Sequence, residues 1–385
     1  MTPIQYGGLI MRAQYLALAR QKIAYYAGAG YHSVSHENEY KQACRAACAE
    51  AMKAIKQGSS AKDVVITAIT ALEDFPCTNA GIGSNLTKSG TVECDASIMD
   101  GNSSAFGAVG ALKGIRNPIQ VAGKLLEGDM SGPSVLGLIS PIFLAGEGAY
   151  LWALDHGFIA CRDEDMITDR SIQTWKRCKS RLELSDVDYK SKPCPLENLC
   201  NVSNEGNHMD TVGAVCMDRH GHLCAGVSSG GVIYKTPGRI GQASVYGCGC
   251  WATSRQMNKV GVACCTSGCG EHLMKSILAK ECARLASRRD AVSAVQEGLE
   301  DVFLGSPFLS TVEQKLGGVL LLRVEEEETA DDCTVDLVWG HTTESMCIGY
   351  MTEQDKRPQV RLSRLHKGQQ HPLLVEGTVY RLPHR

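Results

Sequence analysis

Residues 210–229 have the sequence Asp-Thr-Val-Gly-Ala-Val-Cys-Met-Asp-Arg-His-Gly-His-Leu-Cys-Ala-Gly-Val-Ser-Ser. Two apolar runs, Thr211 to Met217 and Leu223 to Ser228, flank a short turn-rich tip. Short β-forming runs joined by such a tip predict an antiparallel hairpin. The hairpin begins at a threonine that follows an aspartate, and this places a hydroxyl at the first position of a buried strand.

Similar patterns extend in both directions from this hairpin. Periodic apolar positions predict helices over Glu39–Gln57, Ala61–Leu72, Pro118–Leu126, Gly146–His156 and Gly270–Ala286. Short β-rich runs predict strands over Lys22–Ala27, Thr91–Met99 and Ala105–Leu112, and a second hairpin made of Gly318–Val324 and Thr334–His341. Strands in hairpins with helices before and after them predict an α+β fold, in which helices cover antiparallel sheets.

The segment before the hairpin differs from the rest of the chain. From Gly157 to Met209 apolar periodicity fades, and basic runs occur at 176–181 and 190–192. Long irregular loops are usually functional or disordered, so we predict a flexible basic linker over 157–210. The predicted divisions are a leader at 1–22, a core at 23–156, this linker, and a second part at 211–385.

The amino-acid composition and net charge are typical of a soluble globular enzyme. Of the 385 residues, 44% are hydrophobic and 21% charged, with a net charge of −3. This balance does not indicate binding to nucleic acid or to a membrane surface. The 18 cysteines include no C-x-x-C pair, and we expect reduced, mostly buried thiols. The leader contains Arg12 and Arg20 but no acidic residue, which leaves both a mitochondrial targeting sequence and an ordinary flexible segment open.

Thr211 is a candidate nucleophile because of what precedes it. A threonine hydroxyl needs a base, and a freed α-amine on the same residue can serve as one. The pKa of an α-amine is about 7.7–8.0, so part of it is unprotonated at neutral pH. This chemistry requires a cut between Asp210 and Thr211. The alternative is that Thr211 is only a β-forming residue at the start of a strand.

Glycine- and aspartate-rich motifs follow one another along the chain. They are Ala27-Gly-Ala-Gly30, Asn79-Ala-Gly-Ile-Gly83, Glu93-Cys-Asp-Ala-Ser-Ile-Met-Asp100, Asp210-Thr-Val-Gly-Ala-Val215, Ser228-Ser-Gly-Gly231, Pro237-Gly-Arg-Ile-Gly241 and Thr266-Ser-Gly-Cys-Gly-Glu271. In this order they resemble the asparaginase-type N-terminal-nucleophile hydrolases, from about residue 23 to about residue 365. The resemblance implies a four-layer αββα sandwich, a single domain that is cut into two associated subunits.

Three further motifs are similar to one branch of that family, the threonine aspartases. They are Ala27-Gly-Ala-Gly-Tyr-His-Ser33, Tyr246-Gly-Cys-Gly-Cys-Trp251 and His341-Thr-Thr-Glu-Ser-Met-Cys347. This resemblance implies a zymogen that cleaves itself and then acts as a threonine endopeptidase on proteins, after aspartate. No metal or organic cofactor is implied for the reaction.

The resemblance also implies roles for single residues. Thr211 corresponds to the nucleophile, Ser229 to its hydrogen-bonding neighbour, and Ser267 with the Gly268 N–H to the oxyanion hole. The structural alternatives are a strand-end hydrogen bond for Ser229 and a helix-capping turn for Ser267 and Gly268. The two roles of this turn are compatible, because exposed N–H groups at a helix start favour developing negative charge.

The remaining implied roles concern the substrate. Asp210 corresponds to the aspartate of the first, self-directed substrate, and Gly28 lets the upstream loop approach the scissile bond. Arg239 corresponds to the residue that binds the substrate carboxylate, a role suited to its planar set of donors. The alternative role for Arg239 is a surface salt bridge. Two positions depart from the family pattern. His36 stands where threonine aspartases have a lysine near the substrate carboxylate, and Tyr26 stands where related enzymes have a histidine.

Gln242 distinguishes two enzymatic hypotheses. Asparaginases, which hydrolyse a free amino acid, have an aspartate at this position to bind the substrate α-ammonium. A neutral amide suits an uncharged peptide nitrogen better, so Gln242 favours an endopeptidase. The alternatives are an asparaginase or isoaspartyl peptidase on small substrates, and a non-catalytic interaction scaffold with the same fold.

The resemblance finally implies partners and location. Threonine aspartases cleave nuclear regulators, including trithorax-type histone methyltransferases and the large subunit of transcription factor IIA. We therefore expect such substrates, a location in nucleus and cytoplasm, and an αβ heterodimer that can pair further. The basic run at 176–181 fits either a nuclear-import signal or a solvated charged segment.

Overall fold

The computed structural model describes residues 22–32, 34–133, 135–188, 211–255, 260–326, 332–365 and 373–383. Its strands are β1 (Lys22–Gly30), β2 (Cys94–Asp100), β3 (Phe106–Leu112), β4 (Phe143–Ala145), β5 (Val212–Met217), β6 (Leu223–Ser229), β7 (Cys250–Thr253), β8 (Val260–Gly268), β9 (Gly317–Glu326), β10 (Asp332–His341), β11 (Ser345–Thr352), β12 (Gln359–Arg364) and β13 (Leu374–Pro383).

The α-helices lie before and after the central hairpin. They are α1 (Glu37–Lys56), α2 (Ala61–Glu73), α3 (Pro118–Met130), α4 (Gly146–Asp155), α5 (Asp163–Met166), α6 (Asp169–Asp188), α7 (Gly270–Ser276), α8 (Leu278–Ala286) and α9 (Ala291–Glu297). Short 3-10 turns occupy Val34–His36, Gln242–Ser244 and Pro307–Leu309, and a π-helical turn occupies Gly298–Leu304.

These elements form four layers around three apolar cores. An eight-stranded sheet has the order β12-β11-β1-β5-β6-β2-β3-β4, and a five-stranded sheet the order β13-β10-β9-β8-β7. One core lies between α1–α3 and the larger sheet, one between the two sheets, and one between the smaller sheet and α8–α9. The predicted α+β fold is thus confirmed, with the layers in the order helix, sheet, sheet, helix.

The larger sheet places the candidate nucleophile at the centre of the molecule. β1 lies between β11 and β5, and it pairs antiparallel with both. β5 pairs antiparallel with β6 in the predicted hairpin, with Val212 opposite Ser228. Thr211 therefore enters the sheet opposite Ser229, with strands of the first part of the chain on both sides of the hairpin.

The helix predicted over Gly270–Ala286 is wrong as a single element. The structure divides it into α7 and α8, because Ile277 has a left-handed backbone conformation with φ of 47°. A β-branched residue in that conformation ends the helical hydrogen-bond pattern. Apolar spacing alone continues across the break, so the sequence does not reveal it.

The linker predicted over 157–210 is also wrong over its first part, where α5 and α6 lie. Trp175 anchors α6, since its indole N–H donates to the Thr87 carbonyl at 2.9 Å, and Arg170 donates to the Tyr40 hydroxyl at 2.9 Å. The basic run at 176–181 is therefore helical. Residues 189–210, which include the second basic run and Asp210, lie outside the described residues.

Within the described ranges no helix is long and apolar enough to cross a membrane. The cysteines that the structure describes are free thiols, most of them buried. The same described residues contain no group of three or more histidine, cysteine, aspartate or glutamate side chains placed to hold a metal ion.

Candidate active site

Thr211 lies buried at the entry to β5, with 2% of its surface exposed. Its Oγ1 is 2.9 Å from the Ser229 hydroxyl at the end of β6. The Gly231 N–H donates to the same Ser229 Oγ at 3.0 Å, which holds that side chain in place. The antiparallel pairing of β5 and β6 thus brings together the two hydroxyls predicted from the sequence.

Gln242 approaches Thr211 from a different element. It begins the 3-10 turn Gln242–Ser244 and is 3% exposed. Its Nε2 donates to Thr211 Oγ1 at 3.4 Å, a long hydrogen bond. In the described part of the chain, the hydrogen-bond partners of this oxygen are a hydroxyl and an amide. Neither group is a base at neutral pH.

Arg239 is paired with Glu271 of α7. Its Nε and Nη2 donate to the two carboxylate oxygens of Glu271 at 2.8 and 2.7 Å. Burial opposes the charge on Arg239, but the Glu271 carboxylate outweighs burial and raises the pKa of the guanidinium. Burial also opposes the charge on Glu271, and hydrogen bonding to Arg239 outweighs it and lowers the pKa of that carboxyl. Both groups are therefore held in their charged forms.

The third donor nitrogen of Arg239 lies against glycines. A Cβ added at Gly231 would be 2.8 Å from Nη1, and one added at Gly241 would be 2.7 Å from it. Glycine at these two positions lets the guanidinium lie against the backbone, and a side chain there would displace Nη1. Since Glu271 occupies the Nε–Nη2 edge, the Nη1 side is the one through which Arg239 can meet a second carboxylate.

A small cavity connects these groups. Its lining residues are Asn79, Thr211, Ser229, Gly231, Val232, Arg239, Gln242, Gly268 and Gly270. The Thr211 hydroxyl, the Arg239 guanidinium and the backbone of Gly268 at the end of β8 thus border one space. This combination suits attack on an amide bond that lies beside an acidic side chain.

Gly268 lines the cavity, whereas Ser267 lies behind it. Gly268 has φ of 138°, and a Cβ there would be 2.4 Å from the Leu316 carbonyl, so the position requires glycine. Ser267 is fully buried and its Oγ accepts the Ala29 N–H at 2.9 Å. Of the two residues predicted to form the oxyanion hole, Gly268 is among those that line the cavity and Ser267 is not, and the oxyanion role stays a prediction.

Gly28 lies at the end of the β1–β5 pairing, close to where Thr211 enters the sheet. Ala27 and Val212 form the last pair of that ladder, and Gly28 and Thr211 are the residues that adjoin them in sequence. Gly28 has φ of 88° and lies in a β-bulge of the β1–β11 pairing. Tyr26, the residue that departs from the family pattern, packs on Gly213 and donates its hydroxyl to the Thr266 carbonyl.

Two predicted site residues are not placed at the cavity. His36 ends the short turn before α1, is exposed, and contacts the Ser35 hydroxyl at 3.0 Å. It is not among the residues that line the cavity. Asp210 lies outside the described residues.

The sequence analysis did not assign Glu271 and Lys235 to the site. Glu271 belongs to a motif that was identified, but its pairing with Arg239 depends on the fold. Lys235 is 4% exposed, and its Nζ donates to the Gly230 carbonyl at 2.6 Å and to the Glu93 carbonyl. Burial lowers the pKa of Lys235, and Asp95 acts against this shift. No local pattern marks a lysine as buried, so the sequence had no signal for it.

Asn79, which begins one of the recognised motifs, lines the cavity. Its Nδ2 donates to the Gly231 carbonyl at 2.8 Å, and its Oδ1 accepts the Asn85 N–H at 2.9 Å. Its carbonyl accepts the Gly230 N–H at 2.7 Å. Asn79 thereby fixes the Gly230–Gly231 turn, which in turn holds Ser229.

We expect Ser229→Ala to lower kcat on any substrate of this site by about tenfold to 100-fold, since one well-placed hydrogen bond to the nucleophile is lost. Steady-state kinetics on purified protein measures this. Ser228→Ala is the matched control, because Ser228 is equally buried but alternates to the opposite face of β6. Equal activity of wild type and Ser229→Ala would show that the contact is only structural.

Sequence comparison shows which known proteins this chain resembles. The sequence profile described as Asparaginase matches residues 20–357. The isoaspartyl peptidase of Salmonella typhimurium is 34% identical over 268 residues, which cover 68% of this chain and 78% of that protein. The isoaspartyl peptidase/L-asparaginase of Mus musculus is 31% identical over 316 residues, 81% and 85% of the two chains. The plant-type L-asparaginase of Pyrococcus horikoshii is 33% identical over 310 residues, which cover 80% of this chain and 88% of that protein.

Proposed function

This chain belongs to the asparaginase family of N-terminal-nucleophile hydrolases, and on that premise we propose that it is a self-cleaving threonine endopeptidase that cuts proteins after aspartate. The observation that carries the proposal is Gln242, whose neutral amide faces Thr211 in a cavity shared with Arg239. We assign the protein to the threonine aspartase branch on the same ground.

The first step is self-cleavage. Thr211 Oγ1 attacks the carbonyl carbon of Asp210, the C–N bond before Thr211 breaks, and an ester forms while the amine of Thr211 takes up a proton. Water then hydrolyses the ester, which frees the Asp210 carboxylate and leaves Thr211 with both a hydroxyl and an α-amine. Among the described residues, the hydrogen-bond partners of Thr211 Oγ1 are a hydroxyl and an amide, and neither is a base. The freed α-amine therefore supplies the base for later reactions.

The second step repeats this chemistry on another chain. The α-amine takes the proton of the Thr211 hydroxyl, the oxygen attacks the carbonyl carbon of a substrate aspartate, and the proton passes to the leaving amine. The Gly268 N–H, with the Ser267 hydroxyl behind it, stabilises the developing oxyanion. Arg239 binds the aspartate side chain through its Nη1 side. Water hydrolyses the acyl-enzyme, and Thr211 is regenerated.

Gln242 bears on whether the substrate is a free amino acid or a longer peptide chain. A free amino acid brings an α-ammonium into the pocket, and a buried ammonium needs a negative partner. Gln242 offers an amide and no charge, so it suits a peptide N–H or carbonyl instead. A chain that continues on both sides of the aspartate meets this requirement.

The second candidate is a hydrolase of small substrates. The relatives compared above are named isoaspartyl peptidase and L-asparaginase, which favours an asparaginase or isoaspartyl peptidase activity. The two candidates share Thr211, Arg239 and the oxyanion N–H. They differ in whether an α-ammonium or a continuing peptide chain occupies the space beside Gln242.

The two products of self-cleavage, residues 1–210 and 211–385, stay associated under this proposal. In the larger sheet, β1 from the first product lies between β11 and β5 from the second, and β6 pairs with β2. Separating the products would break strand pairing on both sides of β1. An αβ heterodimer, and a further pairing of such heterodimers, are part of the proposal.

We also propose that the protein substrates are nuclear regulators of the trithorax-type methyltransferase and transcription factor IIA kinds, and that the enzyme works in nucleus and cytoplasm. The resemblance to threonine aspartases is the support for both. The basic run at 176–181, which lies in α6, is a candidate import signal.

The deciding experiment compares three substrates. A peptide with this chain's own residues 203–217, free L-asparagine and a β-aspartyl dipeptide are each incubated with the processed enzyme, and products are identified by mass spectrometry. We expect cleavage of the peptide after Asp210 and little turnover of the others. The control is the same peptide with Asp210→Asn, which removes the charge that Arg239 recognises.

The variant Gln242→Asp is the complementary test. It supplies the negative partner for an α-ammonium, so we expect kcat/KM to rise for free asparagine and to fall for the peptide. Robust turnover of asparagine or of the β-aspartyl dipeptide by the wild type, without cleavage of the peptide, would establish the second candidate instead.

A further inference from the structure

Two sequence motifs that the proposed mechanism does not use meet in the structure. They are Ala27–Ser33 at the end of β1 and His341–Cys347 at the start of β11. The meeting point is His32, which is fully buried against Ser345, 313 residues away in sequence. The Ser345 Oγ is 2.9 Å from His32 Nδ1 and also accepts the His32 backbone N–H at 2.9 Å.

The other ring nitrogen of His32 folds back onto its own strand. His32 Nε2 is 2.8 Å from the Ala27 carbonyl. A carbonyl oxygen only accepts hydrogen bonds, so Nε2 carries the proton. In the neutral ring, Nδ1 is then the acceptor for the Ser345 hydroxyl. The Tyr40 ring lies edge-on to the imidazole at 4.5 Å and holds its plane.

These contacts hold both ends of one short segment, Ala27–Gly30. Its first carbonyl accepts a hydrogen bond from His32 Nε2, and just beyond its last residue the His32 backbone N–H donates to Ser345 Oγ. Between them lie the β-bulge and Gly28, whose φ of 88° departs from strand geometry. A bulge lacks regular ladder hydrogen bonds, so contacts from outside the sheet set its position.

The segment in turn holds part of the candidate active site. The Ala29 N–H donates to Ser267 Oγ at 2.9 Å. Ser267 precedes Gly268, which lines the cavity beside Thr211. A continuous series of contacts therefore runs from the imidazole of His32, through the Ala27–Gly30 segment, to the serine behind the proposed oxyanion hole.

We propose that His32 and Ser345 are positioning residues for catalysis: they fix the Ala27–Gly30 segment and, through the Ala29 N–H, the Ser267 hydroxyl. This inference rests on the proposed hydrolase function. Neither residue is among those that line the cavity. The two lie on opposite sides of the proposed cut, so the pair also joins the first product to the second at the site.

The test uses matched serine and histidine variants. Ser345→Ala removes the partner of His32. Ser363→Ala is the control, because the Ser363 hydroxyl also bonds a buried histidine, His341, at 2.9 Å, yet it lies on the edge strand β12. His32→Ala removes both ring contacts, and His32→Gln keeps a donor near the position of Nε2.

Three measurements are made on each variant: the rate of self-cleavage, kcat and KM on the 203–217 peptide, and the thermal midpoint. Misplacing a catalytic group by about 1 Å can cost about 100-fold in rate. For His32→Ala and Ser345→Ala we expect about tenfold to 100-fold losses in kcat and in self-cleavage, with KM nearly unchanged. His32→Gln should recover part of the loss, and Ser363→Ala should keep wild-type kcat.

Hydrogen exchange of the Ala27–Gly30 amides tests the proposal without any activity. We expect faster exchange there in His32→Ala and not in Ser363→Ala. Unchanged exchange and kcat in His32→Ala would overturn the inference, as would equal losses of kcat in Ser345→Ala and Ser363→Ala. An inactive wild type would defeat the proposed function, and the exchange result would still decide whether His32 holds the segment.

Discussion

The Thr211→Ala variant is expected to remain one uncut chain of 41.4 kDa, while the wild type separates into residues 1–210 and 211–385. The physical reason is that Thr211 supplies both the nucleophile and, once freed, the base. The neighbours of its Oγ1, Ser229 and Gln242, can bond an oxygen but cannot accept a proton at neutral pH. Intact mass and N-terminal sequencing of purified protein measure the outcome.

The loss of activity should be the largest of any single substitution. Removing the nucleophile of an acyl-transfer enzyme costs up to about 10⁶-fold in kcat, and we expect at least about 10⁴-fold for Thr211→Ala because the amine is also never freed. Thr211→Ser is the matched control, since it keeps the hydroxyl and should cut itself slowly. A Thr211→Ala protein that still divides before residue 211 would remove Thr211 from the mechanism.

Arg239→Ala is expected to give the second-largest loss. Arg239 is the cation that lines the cavity, and its Nη1 side is where we place the substrate carboxylate. A charge-assisted hydrogen bond contributes about 1.5–3 kcal/mol, so losing a two-bond contact lowers kcat/KM by roughly 10²- to 10⁴-fold. The variant also leaves Glu271 without its partner at the cavity rim.

Arg255→Ala provides the matched control for Arg239. The side chains of Arg255 and its partner Glu326 are 14% and 42% exposed, against 13% and 48% for Arg239 and Glu271. Both variants remove a half-buried ion pair, but only one pair lies at the cavity. The measurement is kcat/KM on the Asp-containing peptide and on the same peptide with Asp→Asn. If Arg239→Ala lost activity equally on both peptides, Arg239 would not recognise the carboxylate.

The elements closest to the site were predictable because their signals are local. The short apolar runs of β5 and β6, and the turn between them, predict the hairpin that brings Thr211 opposite Ser229. The stripe of small and apolar residues in α1 and α2 predicts their buried faces in the same way. Such patterns involve residues within a few positions of one another.

The predictions that were wrong concerned features that no local sequence pattern marks. Helix α6 is charged at nine of its 20 positions, and its anchoring through Trp175 to the Thr87 carbonyl joins residues 88 positions apart. Ile277 breaks a helix whose apolar spacing continues on both sides. His36, which the resemblance aligned with a substrate-binding position, is not among the residues that line the cavity, and its role stays a prediction.

By itself the sequence determined the α+β class, the hairpin that begins at Thr211, and the motifs that identify the family, since each of these is a pattern along the chain. Only the tertiary structure decided that Glu271 occupies one edge of Arg239, that Lys235 is buried beneath the Gly230–Gly231 turn, and that His32 meets Ser345. Hydrogen bonds and ion pairs form between groups that the packed sheets and helices bring within about 3 Å. That proximity is a property of the assembled layers and leaves no mark in the local sequence.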